Sequence, residues 1–413
     1  MLELLTVGQA LRALGPVVRK GTGKPMMVRT EDALGRVLAH DVLCPDDLPP
    51  FPRSAVDGYA VRAADTFGAS EALPAYLRVV ADVEMGVIPG FSIKEGEAVR
   101  MPTGGALPSG ADAVVMVEYC EEIGDGTVLV GSPVAPGENV IQKGEDAAAG
   151  SVLLREGHRL RPQDIGALEG AGICEVEVYP RPRIAVISTG DEIVPPQSIP
   201  SPGQIRDVNG GSLCASLLRD GCLPEFLGVV RDESSEVIRV IREALRYDAI
   251  ILSGGSSAGA RDMVASCIDS LGKPGVLVHG LALRPGKPTM AGAIGDTPVI
   301  GLPGHPTSAL VAYEVFARPL LERLSGESGR ACDGASGRFP VRAIVSRSIS
   351  SKPGREEYIR CALRRADSVV WADPVLGKSG LISTMVKANS FIHVPLDRDG
   401  YGAGEAVDVY LFD

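Results

Sequence analysis

Apolar and polar positions change rhythm several times along the chain, and each change predicts a different kind of structure. Thr6-Val-Gly-Gln9 has the form of a capping box, and Ala10, Leu11, Leu14 and Val17 follow on one helical face. The spacing predicts a helix over about 6–19, which Pro16 kinks or ends early. A short helix at Glu31–Leu34 and extended chain at Arg36–Val42 come next. From about 58 to 137 the apolar runs shorten to Leu77–Ala81, Ala98–Met101, Ala113–Glu118 and Thr127–Val130, with turns between them, and predict an all-β region. Extended segments return over 138–176, with a helical patch at Pro162–Gly170. This pattern reads as one discontinuous domain, 1–44 with 138–176, carrying an inserted β-rich domain at 45–137.

From 177 to 328 strand and helix alternate. Ile184–Ser188, Glu225–Val230, Ala249–Leu252 and Pro298–Leu302 are strand candidates, and Val208–Leu218, Ser235–Leu245, Asp262–Leu271 and Pro306–Leu324 are helix candidates. Such alternation predicts a three-layer α/β domain with a parallel-type sheet covered on both faces. A linker-like stretch, Gly326–Gly334, leads into 329–413, where short β-type runs predict a small barrel-like domain. The fold class expected is therefore α/β and multidomain.

Net charge is −11 and aromatic residues make up only 4% of the chain. Both argue against a general nucleic-acid surface, and an acidic surface also disfavours anionic membranes. An anionic ligand here needs local cations, helix N-termini or a metal. Eight cysteines are scattered without a C-x-x-C pair, as expected for buried thiols in a reducing compartment. The first residues make a poor signal peptide and no long apolar run is present, so a cytoplasmic location is expected.

Candidate chemistry sits where strands give way to small-residue loops. Ala249–Leu252 breaks into Ser253–Ala260, after which Asp262 is expected to open a helix. Strand, small-residue loop and helix N-terminus together can cradle phosphate, and the Asp262 carboxylate would add an oxygen ligand for a divalent metal. The plainer alternative is a connecting loop with a capping aspartate. Ser188-Thr-Gly-Asp-Glu192 follows another strand and places Asp191 and Glu192 at the carboxyl edge of the sheet. Arg284-Pro-Gly-Lys-Pro288 fixes two cations on a stiff turn, suited to an anion or simply solvated. Gly301-Leu-Pro-Gly-His-Pro-Thr-Ser308 leads into a long helix, with His305 in a capping position. Pro50–Tyr59 is a proline-stiffened loop presenting Arg53, Ser54 and Asp57, or else a connector between domains. Met101–Gly105, Lys143–Asp146, Lys352–Glu356 and Lys378–Gly380 are further polar turns that read more readily as surface. His40, His158, His279 and His393 are isolated and read as structural.

Taken in order, these motifs resemble the molybdopterin molybdenumtransferase family, which includes the E domain of gephyrin. Pro52-Arg-Ser-Ala-Val-Asp-Gly-Tyr-Ala60, Met101–Gly105, Gly144-Glu-Asp146, Ser188–Glu192, Gly254–Gly259 with Asp262, Pro285–Pro288 and Gly301–Pro306 are similar to family motifs over essentially the whole chain. Val56 replaces a usual methionine, Arg284 a frequent lysine, Gly280 a lysine of some members, and His305 an asparagine of some members.

The resemblance implies a four-domain homodimer with the cleft shared between subunits. It also implies the reaction. Molybdate replaces the AMP of adenylylated molybdopterin, with magnesium, giving molybdenum cofactor and free AMP. Asp57, Thr103, Asp146, Glu192 and Asp262 fall at catalytic positions, with Asp262 and Glu192 as magnesium ligands. Ser54, Ser188, Thr189, Gly190, Asp232, Gly254, Gly255, Ser257, Gly259, Arg284, Lys287, Pro303, Pro306 and Ser308 fall at substrate-binding positions. A molybdopterin adenylyltransferase and downstream molybdoenzyme machinery are the expected partners beyond the second subunit. Two other readings compete. The sheet domain alone resembles a molybdopterin adenylyltransferase, which the additional domains and the Ser54–Tyr59 loop argue against. A gephyrin-like scaffold would call for an added partner-binding region.

Overall fold

The computed structural model describes residues 4–254, 258–328 and 340–412. The apolar runs of the third region assemble there into a six-stranded sheet. Its order is Leu223–Val230, Arg183–Thr189, Ala249–Gly254, Thr297–Pro303, Met290–Ile294, Pro274–His279. The first four strands are parallel and the last two antiparallel, so the sheet is mixed rather than parallel throughout. Side chains alternate between two cores. Ile184, Val186, Ile251 and Ile300 face one, with Val7, Leu11, Leu213, Tyr313 and Phe316. Ala185, Ile187, Ile250 and Val299 face the other, with Val237, Ile241, Val264 and Ile268. Period-two alternation with helices on both sides is the three-layer arrangement.

Several elements differ from expectation for local reasons. The first helix is only Val7–Leu14; Thr6 and Gln9 form the capping box, and the helix stops two residues before Pro16. Thr30–Asp32 is a 3₁₀ turn rather than an α-helix at 31–34. The helix expected from Asp262 starts at Ala258, because Ala258 to Ala260 belong to the helix and not to the loop. Asp262 thus lies in the second turn. The long helix from Pro306 to Leu324 contains a π-helical stretch, Tyr313–Ala317, where the Arg318 N–H reaches the Tyr313 carbonyl. Pro319 has no N–H and its ring crowds the carbonyl four residues back, so a widened turn relieves the clash.

The chain divides into two compact units. One holds Met1–His40, Glu156–Pro162 and Glu175–Asp413; the other holds Asp41–Arg155 and Gln163–Cys174. Within the first unit, Val341–Val345, Glu356–Ala366, Val369–Pro374, Ser390–Val394 and Ala406–Leu411 form a closed five-stranded barrel, sealed where Glu356–Ala366 pairs with Ser390–Val394. Leu283–Arg284 pairs in parallel with Glu356 and Glu357, which ties the Arg284 turn to the barrel. The second unit carries a six-stranded sheet ordered Ala113–Met116, Gly58–Val61, Glu97–Met101, Ala75–Asp82, Thr127–Val130, Cys120–Glu122. Cys44, Cys222, Cys267 and Cys361 are buried as expected, but Cys174 is exposed. No helix among the described residues is long and apolar enough to cross a membrane.

Candidate active site

Two clefts open at the carboxyl end of the parallel strands in the first unit. The larger, about 770 Å³, lies between the Arg284–Pro288 turn, the Pro303–Ser308 turn and the barrel. Arg284, Lys287, Arg355, Arg360 and Lys378 line it against a single carboxylate, Glu357. That carboxylate is occupied: Ser351 Oγ donates to it at 2.6 Å, and Arg284 Nε lies 3.4 Å from it. Burial lowers the Arg360 guanidinium from its ordinary value, and Arg360 donates to the Gly377 carbonyl at 2.9 Å. Of these cations only Arg360 is buried; Arg284, Lys287, Arg355 and Lys378 are exposed, so their pull on an anion rests on number and convergence more than on desolvation. Pro303 and Ser308 also face this cleft. The turns at Lys352–Glu356 and Lys378–Gly380 are largely exposed, as expected of surface turns, and Arg355, Lys378 and Ser379 also line the cleft.

The second cleft, about 610 Å³, gathers Ser188, Thr189, Glu192, Gly254 and Pro306. Its floor is a buried polar network that sequence reasoning missed. Ser188 donates to Asp207 Oδ2 at 2.9 Å, while Asp207 Oδ1 accepts from the Asn209 and Gly210 amides. Asn209 Nδ2 donates to Ser253 Oγ and to the Gly304 carbonyl, both at 2.8 Å. The available signal was Asp207-Val-Asn209 at the start of a helix that follows a strand-end loop. Ser188 and Thr189 are buried, so the Ser188 hydroxyl shapes the floor through Asp207 rather than standing open.

A third cluster is acidic. The Asp232 amide donates to Asp191 Oδ1 at 3.3 Å, and Asp232 Oδ1 is buried with no hydrogen-bond partner. Burial, then Asp191 and Glu192, raise the Asp232 carboxyl above the ordinary aspartate value. A raised folded-state value means that the stability linked to this group is present at low pH and lost as pH rises through it. Asp232→Asn is therefore expected to be more stable than wild type at pH 7, with the gap closing below the ordinary carboxylate range. Urea unfolding across that range measures it, and a gap that stays constant with pH would count against the assignment.

Asp262 is exposed and lies 3.6 Å from His279 Nε2, so neither is isolated. Gly259 is exposed in the first turn of the same helix. Gly190 has φ near 150° and closes the strand end beside Glu192. Gly255 and Ser257 lie outside the described residues. His305 occupies the N-cap position, yet its side chain makes no capping bond; Nδ1 pairs with Ser379 Oγ at 2.8 Å.

The remaining candidates belong to the second unit. Asp57 is exposed, and its Oδ1 accepts from the Thr103 amide at 2.7 Å and the Thr103 hydroxyl at 2.9 Å. The Thr103 amide, then its hydroxyl, lowers the Asp57 carboxyl below the ordinary range. Asp146 sits in a turn whose amide bonds the Leu48 carbonyl. Ser54, expected to be presented by its loop, is instead buried and donates to the Val56 carbonyl at 2.6 Å. A serine closing a tight turn on its own backbone has no proton left for a ligand.

Three family patterns match the chain: MoeA N-terminal region (domain I and II) at residues 5–172, a probable molybdopterin binding domain at 185–323, and MoeA C-terminal region (domain IV) at 342–412. The chain belongs to the MoeA family. A putative molybdopterin biosynthesis protein of Methanocaldococcus jannaschii is 36% identical, over 92% of this chain and 90% of that protein. The Bacillus subtilis molybdopterin molybdenumtransferase is 32% identical, over 94% of this chain and 90% of its own length. A solved MoeA structure from Pyrococcus horikoshii OT3 superposes with a TM-score of 0.80 at 31% identity, covering 99% of this chain and 100% of that one.

Proposed function

We propose that the chain is a molybdopterin molybdenumtransferase, exchanging the AMP of adenylylated molybdopterin for molybdenum from molybdate. The observation that carries this reading is the basic cleft. In a chain of net charge −11, five cations converge on one wall system beside the loops that end the parallel strands. Such a place suits a tetrahedral oxyanion or a phosphate. The second cleft adjoins it through Gly304 and His305 and has a polar floor of fixed donors and acceptors, suited to a heterocycle. Family membership and the name carried by the Bacillus subtilis relative support the same reaction. Purified protein is expected to release AMP from adenylylated molybdopterin only when molybdate is added. AMP release that ignores molybdate, or pyrophosphate release from ATP and molybdopterin, would replace this reading with a hydrolase or an adenylyltransferase.

Magnesium belongs to the proposal as well; among the described residues no group of three or more His, Cys, Asp or Glu side chains is set to hold an ion, so two carboxylates would need substrate oxygens to complete the shell. Asp232 offers a buried, unpartnered oxygen in the field of Glu192 and Asp191. Two carboxylates plus substrate phosphates and water are a usual magnesium shell. Glu192 and Asp232 would hold the ion, which would neutralise phosphate charge when bound. Asp262 loses its place as first choice, because it sits in the second helical turn facing His279 rather than at the helix start. Millimolar magnesium is expected to raise the thermal midpoint of wild type and of Asp262→Asn, but not of Glu192→Gln. A shift lost in Asp262→Asn and kept in Glu192→Gln would return the metal to Asp262.

The four-domain division, a cytoplasmic location and a homodimer, with the 45–137 domain of one subunit meeting the sheet domain of the other, complete the proposal. The catalytic carboxylates it invokes, Asp57 and Glu192, fall in different compact units. Light scattering at micromolar concentration is expected to give twice the chain mass of 43.1 kDa. A fully active monomer would refute the shared cleft.

A further inference from the structure

His305 and Gly304 are the residues common to both clefts, and His305 reaches across to the barrel side. Its Nδ1 is 2.8 Å from Ser379 Oγ, and the Thr307 amide donates to the Ser379 carbonyl at 3.1 Å. Two bonds therefore hold the 378–380 segment against the Gly304–Thr307 turn. The segment divides the clefts, with Lys378 and Ser379 on the basic side and Gly380 on the other.

A serine hydroxyl has one proton and two lone pairs. The proton either points at His305, which must then accept, or stays free, in which case His305 donates from Nδ1. No other bond of the His305 ring is found among the described residues, so its tautomer is set by this contact and by what the cleft holds. An oxyanion amid Arg355, Lys378 and Lys287 takes donors only. Ser379 can serve it only when its proton is not spent on the imidazole.

Resting on the oxyanion reading of the basic cleft, we propose that His305 is a positioning residue: it donates from Nδ1 to Ser379 Oγ and turns the serine proton toward the bound oxyanion. The histidine acts through Ser379 and need not touch the anion. Its contribution therefore vanishes when the serine hydroxyl is removed.

The test is isothermal titration of the full-length protein with sodium molybdate. His305→Ala is expected to weaken molybdate binding about fivefold, and Ser379→Ala about tenfold, in the range of a single charge-assisted bond. The double variant should bind like Ser379→Ala alone, because the two residues act as one unit. His305→Asn, whose amide can donate to Ser379, should restore binding to within twofold. His305→Asp can only accept and should weaken binding further; in the Ser379→Ala background its residual effect isolates the added negative charge. Thermal midpoints identify any variant that fails to fold. Steady-state assays should show the His305→Ala loss in KM for molybdate and not in KM for the adenylylated substrate. If wild type binds neither molybdate nor inorganic phosphate, the oxyanion reading itself fails, and this inference with it. If wild type binds and His305→Ala matches it, or loses as much again in the Ser379→Ala background, the positioning role alone is wrong.

Discussion

Asp57→Ala is expected to fold with wild-type stability and to lose molybdenum insertion by on the order of a hundredfold, the scale on which one preorganised charged or hydrogen-bonding group acts. The carboxylate is exposed, so its removal opens no core. Oδ1 is pinned twice by Thr103, and those two bonds hold the carboxyl below its ordinary value. An exposed oxygen held by two hydrogen bonds has already lost its rotamer freedom before any ligand arrives. Asp57→Asn separates charge from shape, because the amide oxygen can still accept from Thr103. It should fold as well as the alanine variant and lose nearly as much activity. Thermal melts and molybdate-dependent AMP release measure both. A large drop in melting temperature for Asp57→Ala would make the residue a turn clamp, and unchanged activity would remove it from the site.

Gly254→Ala is expected to destabilise the protein by roughly 3 kcal/mol or more, through backbone overlap that the structure has no simple way to relieve. Gly254 ends the central strand with φ near 149°, and a Cβ there would sit 2.1 Å from the Thr189 carbonyl oxygen and 2.3 Å from Thr189 Oγ1. Real Cβ atoms do not approach backbone that closely. The strand would have to part from Arg183–Thr189 at the point where both lead into the second cleft. Urea unfolding gives the number, and a loss below about 1 kcal/mol would show that the strand ends can separate cheaply. The glycine thus serves strand packing, holding the end of this strand against Thr189.

Elements buried on both faces were legible in the sequence. Ala249–Leu252 and Ile184–Ser188 read as strands because central parallel strands are continuous apolar runs, and both extend by only a residue or two. Pro274–His279 and Met290–Ile294 were not legible. They mix Pro, Gly and Ala, residues poor in strand signal, and their pairing is antiparallel at the sheet edge. The inserted strand Gly58–Val61 was hidden for a related reason, beginning with the Gly58 of a turn motif. Site motifs were visible wherever the chemistry lies within a few residues, as in Arg284–Pro288. Arg355, Lys378 and Ser379 come from turns far along the chain, and nothing in their local sequence says that they converge on Arg284. Asp262 was misplaced because alanine and glycine beside a serine run look like loop, while Ala258 and Ala260 extend the helix backward past it.

The short helix Val7–Leu14 packs into the same core as Tyr313, Phe316 and Leu320, and Arg323 Nε closes on the Val18 carbonyl at 2.6 Å. During synthesis its apolar face leaves the ribosome about 300 residues before those partners do. At roughly 5–20 residues per second that is a wait of about 15–60 s. The Asp41–Arg155 segment, made in between, has its own sheet and core to close meanwhile. The first helix to be made is thus among the last to be buried, and until the 306–324 helix follows it out, Val7, Leu11 and Leu14 are surface that a chaperone can hold.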